Sequence, residues 1–333
     1  MRNKYVLNIL FIGILLFAGC APAEGTSQDG KLTVVATVSP ITNIIYNIGG
    51  QHITLSGIVP EGVNSHTFEP APSDAKKLAG ADLIFANGLD LEDPTLKLAR
   101  ANLKDGAEII ILGEQTISPE EYAYDFSFPK EEGHPNPHLW PNPIYALRYA
   151  EIAKDALVRR DPTNADDYKG NYEKFKARIE ALDDAIKATI NSIPENNRKL
   201  LTYHDSFAYF APRYGMTVIG AIQPSDFAEP SAKDVADLIT QIKQEKVPAI
   251  FGSEVFPSPI LEQIAKESGA KYVSDLRDDD LPGTPGEAKH SYVGLIVEDV
   301  RVMAEALGGD PSLIANFDVS NIPGKDQNVN QSQ

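Results

Sequence analysis

Short apolar runs rich in β-branched residues alternate along the chain with segments of helical periodicity. The first half contains four such runs, LTVVAT (32–37), ITLSGIV (53–59), DLIFAN (82–87) and EIIILG (108–113). Helical segments such as PITNIIYNIG (40–49) and PSDAKKLAG (72–80) lie between them. Strands that alternate with helices indicate βα units, so this half is predicted to form a mostly parallel sheet flanked by helices.

The second half repeats this architecture without repeating the residues. Its predicted strands are KLLTYH (199–204), MTVIGAI (216–222), PAIFGS (248–253) and KYVSDL (271–276), with helices at 231–246 and 258–269. The pattern therefore predicts an α/β protein of two similar lobes, each with its own core.

A single long helix is predicted between the lobes. Its apolar positions recur at intervals of three and four residues, at Tyr168, Tyr172, Phe175, Ile179, Leu182, Ile186 and Ile190. About 28 residues at about 1.5 Å each give a rod of about 40 Å. We therefore predict an N-terminal lobe at 31–160, an interlobe helix at 161–194 and a C-terminal lobe at 195–323, with a ligand cleft between the lobes that moves little.

The two ends of the chain are predicted to lie outside these lobes. Residues 1–20 combine Arg2 and Lys4 with a short apolar run, which is typical of a secretory signal. Cys20, the one cysteine of the chain, stands where a bacterial lipoprotein signal is cleaved and lipidated, although an ordinary signal with an incidental cysteine is the alternative. Residues 21–30 are predicted to be a flexible tether and residues 324–333 a polar tail.

The net charge of −17 argues against nucleic acid as a partner and against electrostatic attachment to an anionic membrane. An acidic protein is suited instead to solubility and, weakly, to attracting cations.

Three of the six histidines lie after predicted strands or at their carboxyl ends, and one aspartate lies at such an end. These residues are His66, His138, His204 and Asp275. Ligands of open parallel sheets bind at the carboxyl ends of the strands, so we expect all four side chains at one cleft. A lone histidine is more often structural, but four metal-capable side chains at four strand ends favour a metal site. His138 lies in HPNPHLWPNP, a stretch whose four prolines exclude helix interior and central strand and predict a stiff loop.

Four motifs, in order along the chain, resemble the substrate-binding lipoproteins of ABC importers for zinc and manganese, the cluster A-I family. They are GVNSHTFEPAPSD, NPHLWPNP, YHDSFAYFAPRYG, and YVSD followed by SYVGLI. The resemblance implies that His66, His138, His204 and Asp275 bind the metal and that Trp140 packs beneath the His138 loop. Glu254 is expected to support the site or to contact the ion through water. The acidic run Asp278–Asp280 is expected to be a solvated loop.

The resemblance also implies the activity and the partners. The protein is expected to capture a divalent transition metal and to deliver it to an ABC-transporter permease with its cytoplasmic ATPase. It is expected to be a monomer without enzymatic activity, anchored through lipidated Cys20 in the periplasm or on the outer cell surface.

The choice of metal is open between zinc and a harder ion. Three imidazoles and one carboxylate favour zinc, whereas manganese prefers more oxygen ligands. Zinc-specific relatives often carry a histidine-rich loop where residues 118–137 are acidic and contain only His134. Zinc is therefore predicted, with manganese or ferrous iron as the alternative. A zinc hydrolase, which needs an open metal position and a general base, and a surface adhesin with a structural metal are the rival classes.

Overall fold

The computed structural model describes residues 30–323 except 224, 226, 227 and 256–258. Its architecture is two four-stranded parallel sheets of the same topology, ordered β2-β1-β3-β4 and β6-β5-β7-β8. The strands are β1 (Leu32–Ala36), β2 (Ile53–Gly57), β3 (Leu83–Ala86), β4 (Glu108–Ile111), β5 (Lys199–Thr202), β6 (Thr217–Ala221), β7 (Ala249–Ser253) and β8 (Lys271–Leu276). The predicted α/β fold with two similar lobes is confirmed, and each strand lies in the run that predicts it.

Helices cover the faces of both sheets. They are α1 (Ser39–Gly49), α2 (Pro72–Gly80), α3 (Asp93–Asn102), α4 (Pro143–Arg160), α5 (Ala165–Asn191), α6 (Phe210–Arg213), α7 (Ala232–Glu245), α8 (Pro259–Ser268) and α9 (Tyr292–Leu307). Strands buried on both faces read as continuous apolar runs. This is why every residue of β3 and of β7 is buried.

The long helix α5 has 27 residues, and all seven positions of its predicted apolar stripe are buried. It packs against α1 and α4 of the first half of the chain and against α9 of the second half. The helix is therefore a rigid element that both lobes share.

The expectation of a separate core in each lobe holds only in part, because each lobe has a smaller apolar cluster of its own but shares a larger one with the other lobe. The largest apolar cluster combines side chains of both sheets with the stripe of α5. Tyr292 at the start of α9 shows the connection, because its buried hydroxyl donates to the Trp140 carbonyl at 2.7 Å and its ring lies 6.3 Å from that of Phe175. The physical reason is that α5 buries its stripe against helices of both lobes at once.

The lobe boundaries at 160 and 195 remain a prediction. The predicted signal, most of the tether, Cys20 and the polar tail lie outside the described residues. Among the helices at 30–323, none combines the length and the apolar character needed to cross a bilayer.

Candidate metal site

The three predicted histidines meet between the two sheets. His66 lies in the loop after β2, His138 in the long loop after β4, and His204 two residues after β5. All three therefore stand beyond the carboxyl ends of parallel strands, where such folds bind ligands.

The Nε2 atoms of His66, His138 and His204 point at one another. The separations are 3.1 Å for His66 and His138, 3.1 Å for His66 and His204, and 3.2 Å for His138 and His204. Among the described side chains, no other set of three or more potential metal ligands is grouped so closely. Tetrahedral angles with zinc–nitrogen bonds of about 2.05 Å would separate the nitrogens by about 3.3 Å, so only a small outward adjustment is needed.

Two neighbouring amides orient the imidazoles for binding. The Nδ1 atom of His138 lies 2.8 Å from Asn136 Oδ1, and that of His204 lies 3.0 Å from Gln223 Oε1. Because an amide oxygen only accepts, each Nδ1 carries the hydrogen and each Nε2 keeps its lone pair. Lone pairs that converge in this way repel one another unless a cation lies between them.

Burial keeps the three rings unprotonated. It lowers the pKa of His66 and His138 well below the ordinary value, and the neighbouring imidazoles lower it further. Burial also lowers the pKa of His204 to about 4, against a smaller opposing effect of the Gln223 hydrogen bond. The site is thus neutral and ready to bind a metal at pH 7.

The proline-rich loop holds His138 as its sequence indicates. The His138 backbone N–H donates to Asn136 Oδ1 at 2.9 Å, and Asn142 caps α4 by accepting from the Ile144 N–H. Trp140 is fully buried with its ring 5.0 Å from that of His138. Its Nε1–H donates to the Asp278 carbonyl at 2.7 Å, so the tryptophan also supports the acidic loop.

The expectation that Asp278–Asp280 form a solvated loop is wrong, because Asp278 and Asp279 are buried. Glu254 explains how this is possible. Its Oε1 accepts the backbone N–H groups of all three aspartates at 2.9–3.1 Å. The loop is therefore wrapped around the partly buried Glu254 carboxylate, which supports it from beneath.

The acidic loop reaches across to the loop that carries His66. Asp279 Oδ2 accepts from the Ser65 hydroxyl at 2.9 Å, and Asp280 Oδ2 accepts from the Gly62 N–H at 2.7 Å. Asp279 Oδ1 is buried, and no hydrogen-bond donor of the described residues reaches it. Burial raises the pKa of Asp279 to about 7. One oxygen of Asp279 is thus anchored to Ser65, the residue before His66, while the other has no hydrogen-bond donor among the described residues.

The sequence also drew attention to Asp275 and His134, and neither is grouped with the histidine triad among the described side chains. The backbone of Asp275 lies in β8, but its side chain is outside the described part of the chain, so its role as a ligand stays a prediction. His134 is exposed and pairs with Asp90 at 2.7 Å, away from the three converging nitrogens.

The sequence did not single out Asn136, Gln223, Ser65 or Phe128, and it placed Asp279 in an acidic run that was expected to be solvated. Ser65 is adjacent to His66 and Asn136 lies two residues before His138, so their closeness in the chain to predicted ligands could have indicated them. Gln223 and Asp279 are far from the histidines in sequence, and only the packing of the loops brings them together.

Comparison with known proteins identifies the family. The profile of zinc-uptake complex component A, periplasmic (ZnuA), matches residues 34–306. The chain is 30% identical over 322 residues to the manganese ABC transporter substrate-binding lipoprotein of Streptococcus pneumoniae, covering 91% of this chain and 99% of the relative. It is 29% identical over 300 residues to the iron-binding protein of Yersinia pestis, covering 90% of this chain and 94% of that relative.

Solved structures agree with this assignment. The periplasmic zinc-binding protein of Treponema pallidum superposes with a TM-score of 0.76 at 26% identity, covering 84% of this chain and 99% of the other. The manganese-bound periplasmic metal-binding protein of Candidatus Liberibacter asiaticus superposes with a TM-score of 0.72 at 27% identity, covering 83% of this chain and 100% of the other. The chain therefore belongs to the ZnuA family, the metal-binding substrate-binding proteins of ABC importers, and it is a transport protein rather than an enzyme.

Proposed function

We propose that this protein captures Zn²⁺ through His66, His138 and His204 and delivers it to its ABC permease. The observation that carries the proposal is the convergence of three neutral imidazole Nε2 atoms within 3.1–3.2 Å of one another. Zinc is usually four-coordinate and accepts nitrogen and carboxylate ligands together. Three nitrogens therefore leave one position to fill.

A carboxylate of the second half of the chain fills that position in our proposal. Asp279 is a candidate because its Oδ2 is anchored to Ser65, which precedes His66, while its buried Oδ1 has no donor among the described residues. Its oxygens are not grouped with the three nitrogens, so binding requires the acidic loop to move toward the histidines. Asp275 is the ligand that the sequence resemblance implies. The two residues are alternatives that mutation can separate.

Manganese is the second candidate, because relatives of this chain are named for manganese, iron and zinc. A bidentate carboxylate would raise the coordination number toward the value that manganese prefers. The nitrogen-rich ligand set and the general affinity order of divalent ions support zinc instead.

The family supports a proposal for the location and the partners. We propose that Cys20 carries a lipid that holds the protein on the outer side of the cell membrane, as the name lipoprotein indicates for relatives. There it would act as a monomer and pass the ion to the permease with its ATPase.

Metal analysis of protein purified without added metal, followed by competition titration, tests the proposal. We expect one ion per chain and tighter binding of zinc than of manganese. His138→Ala should weaken zinc binding by roughly 100-fold or more, since it removes a ligand. His134→Ala is the matched control and should bind like the parent, because His134 is exposed and paired with Asp90. Tighter binding of manganese would refute the choice of zinc, and full binding by His138→Ala would refute the site.

A further inference from the structure

The Phe128 side chain covers the three imidazoles. Its ring centroid is 5.6 Å from that of His66, 5.7 Å from that of His138 and 5.8 Å from that of His204. The imidazole centroids themselves are 4.8–5.0 Å apart. A point that is almost equally distant from the three imidazole centroids lies near the line that passes through the centre of their triangle at right angles to its plane. The phenyl ring therefore stands on the axis of the histidine triad.

The ring is held in this position by its own loop. The Phe128 N–H donates to Asp125 Oδ1 at 3.2 Å, and the Asp125 N–H donates to the Phe128 carbonyl at 2.9 Å. The Ser127 hydroxyl donates to the carbonyl of Gln223, whose side chain orients His204. Phe128 is only 8% exposed, whereas Phe126, two residues earlier, is 55% exposed. The loop thus buries one phenylalanine over the site and leaves the other in solvent.

A cavity of about 210 Å³ leads from the surface to this ring. Its lining includes His66 and Phe128 together with Asp90, Glu132 and His134. Because Asp90 and His134 are exposed while Phe128 is buried, the cavity has a polar mouth and an aromatic inner end. Water that approaches the triad through this cavity meets the phenyl ring beside His66.

We propose that Phe128 helps to determine the metal preference by denying the bound ion a water ligand on this side. The inference rests on the proposed function, since it concerns an ion held by the three histidines. A hydrocarbon ring cannot coordinate a metal, and it occupies space that a coordinated water would need. Zinc is satisfied by four ligands, whereas manganese prefers more ligands, most of them oxygen. Exclusion of water therefore disfavours manganese more than zinc.

Shortening the side chain tests the proposal. Phe128→Ala opens the covered side, Phe128→Val opens it in part, and Phe126→Ala is the control on the same loop. Competition titrations should show the ratio of zinc affinity to manganese affinity reduced about tenfold in Phe128→Ala, since a water ligand becomes available to manganese. Phe128→Val should show a smaller reduction, and Phe126→Ala none.

Cobalt spectra provide a readout that loss of stability alone would not change. Cobalt(II) absorbs visible light strongly when four-coordinate and weakly when six-coordinate. We expect an intense spectrum for the parent and for Phe126→Ala, and a weaker one for Phe128→Ala because water joins the ligands.

The outcomes separate this proposal from the proposed function. A folded Phe128→Ala protein with the parent's affinity ratio and cobalt spectrum would overturn the role of Phe128. If Phe128→Ala does not fold, Phe128→Val must show the shift, and its absence there would overturn the role equally. A parent that binds no metal, or a His138→Ala variant that binds like the parent, would instead overturn the metal site itself.

Discussion

The Ser65 hydroxyl donates a hydrogen bond to Asp279 Oδ2 at 2.9 Å, and the Ser65 backbone N–H donates to the same oxygen at 3.2 Å. These residues are 214 positions apart in the chain. The pair joins the loop that carries His66 to the acidic loop after β8. Its importance is that a carboxylate of the second lobe is thereby fixed to the residue that precedes a histidine of the first.

Asp279→Asn should weaken zinc binding on the order of 100-fold, because an uncharged amide replaces the proposed carboxylate ligand. Asp275→Asn is the matched variant and should bind within a few-fold of the parent if Asp279 is the ligand. Competition titration measures both affinities. The reverse pattern would restore Asp275 as the ligand, and two unaffected variants would exclude both carboxylates.

Metal loading should change the overall shape of the protein little. The helix α5 packs on helices of both lobes, and the hydrogen bonds Ser65–Asp279 and Gly62–Asp280 join the two sides directly. Small-angle scattering of metal-free and loaded protein should give nearly superimposable profiles. A large decrease in the radius of gyration on loading would show a flexible hinge instead.

Glu92 should make the stability of the fold depend on pH. Burial raises its pKa from 4.5 to about 7, against the opposing hydrogen bonds from Thr37, Asn87 and Gly88. The folded state then holds this proton more tightly than the unfolded state does. The free energy of unfolding should therefore fall by up to about 3 kcal/mol as pH rises from about 4.5 to 7.

Urea unfolding of the parent and of Glu92→Gln across this pH range, with chelator present, measures the effect. The glutamine does not titrate, so the stability of the parent relative to the variant should decrease as pH rises. Other groups titrate in the same range, and comparison with the variant removes their contribution. Parallel stability curves for the two proteins would contradict the prediction.

Cys20→Ser should abolish membrane attachment, because serine offers no thiol for the lipid. Fractionation of cells that express the variant should show the protein released or left unprocessed, while the parent stays with the membrane. A variant whose signal is cleaved and that remains membrane-bound to the same extent as the parent would exclude lipidation at Cys20.

The local pattern of the chain was sufficient to predict the fold. Runs such as LTVVAT and PAIFGS favour strands through their own side chains, and the stripe from Tyr168 to Ile190 specifies which face of α5 is buried. Residues after strands in a parallel sheet reach the same edge whatever else surrounds them. This is why His66 and His138 could be expected at one edge of the first sheet, and their meeting with His204 of the second sheet followed from the predicted cleft between the lobes.

The tertiary structure alone decided which acidic residues are buried and what covers the site. A run of three aspartates is usually solvated, and burial of Asp278 and Asp279 depends on the Glu254 carboxylate, 24 or more positions away, that binds their backbone N–H groups. Phe126 and Phe128 are the same residue type on one loop, and only its packing against the triad separates an exposed ring from a buried one. The periodicity of apolar residues shows which face of a helix or strand is buried. The burial of Asp278, Asp279 and Phe128 depends instead on contacts between loops that are far apart in the sequence, and no local pattern encodes such contacts.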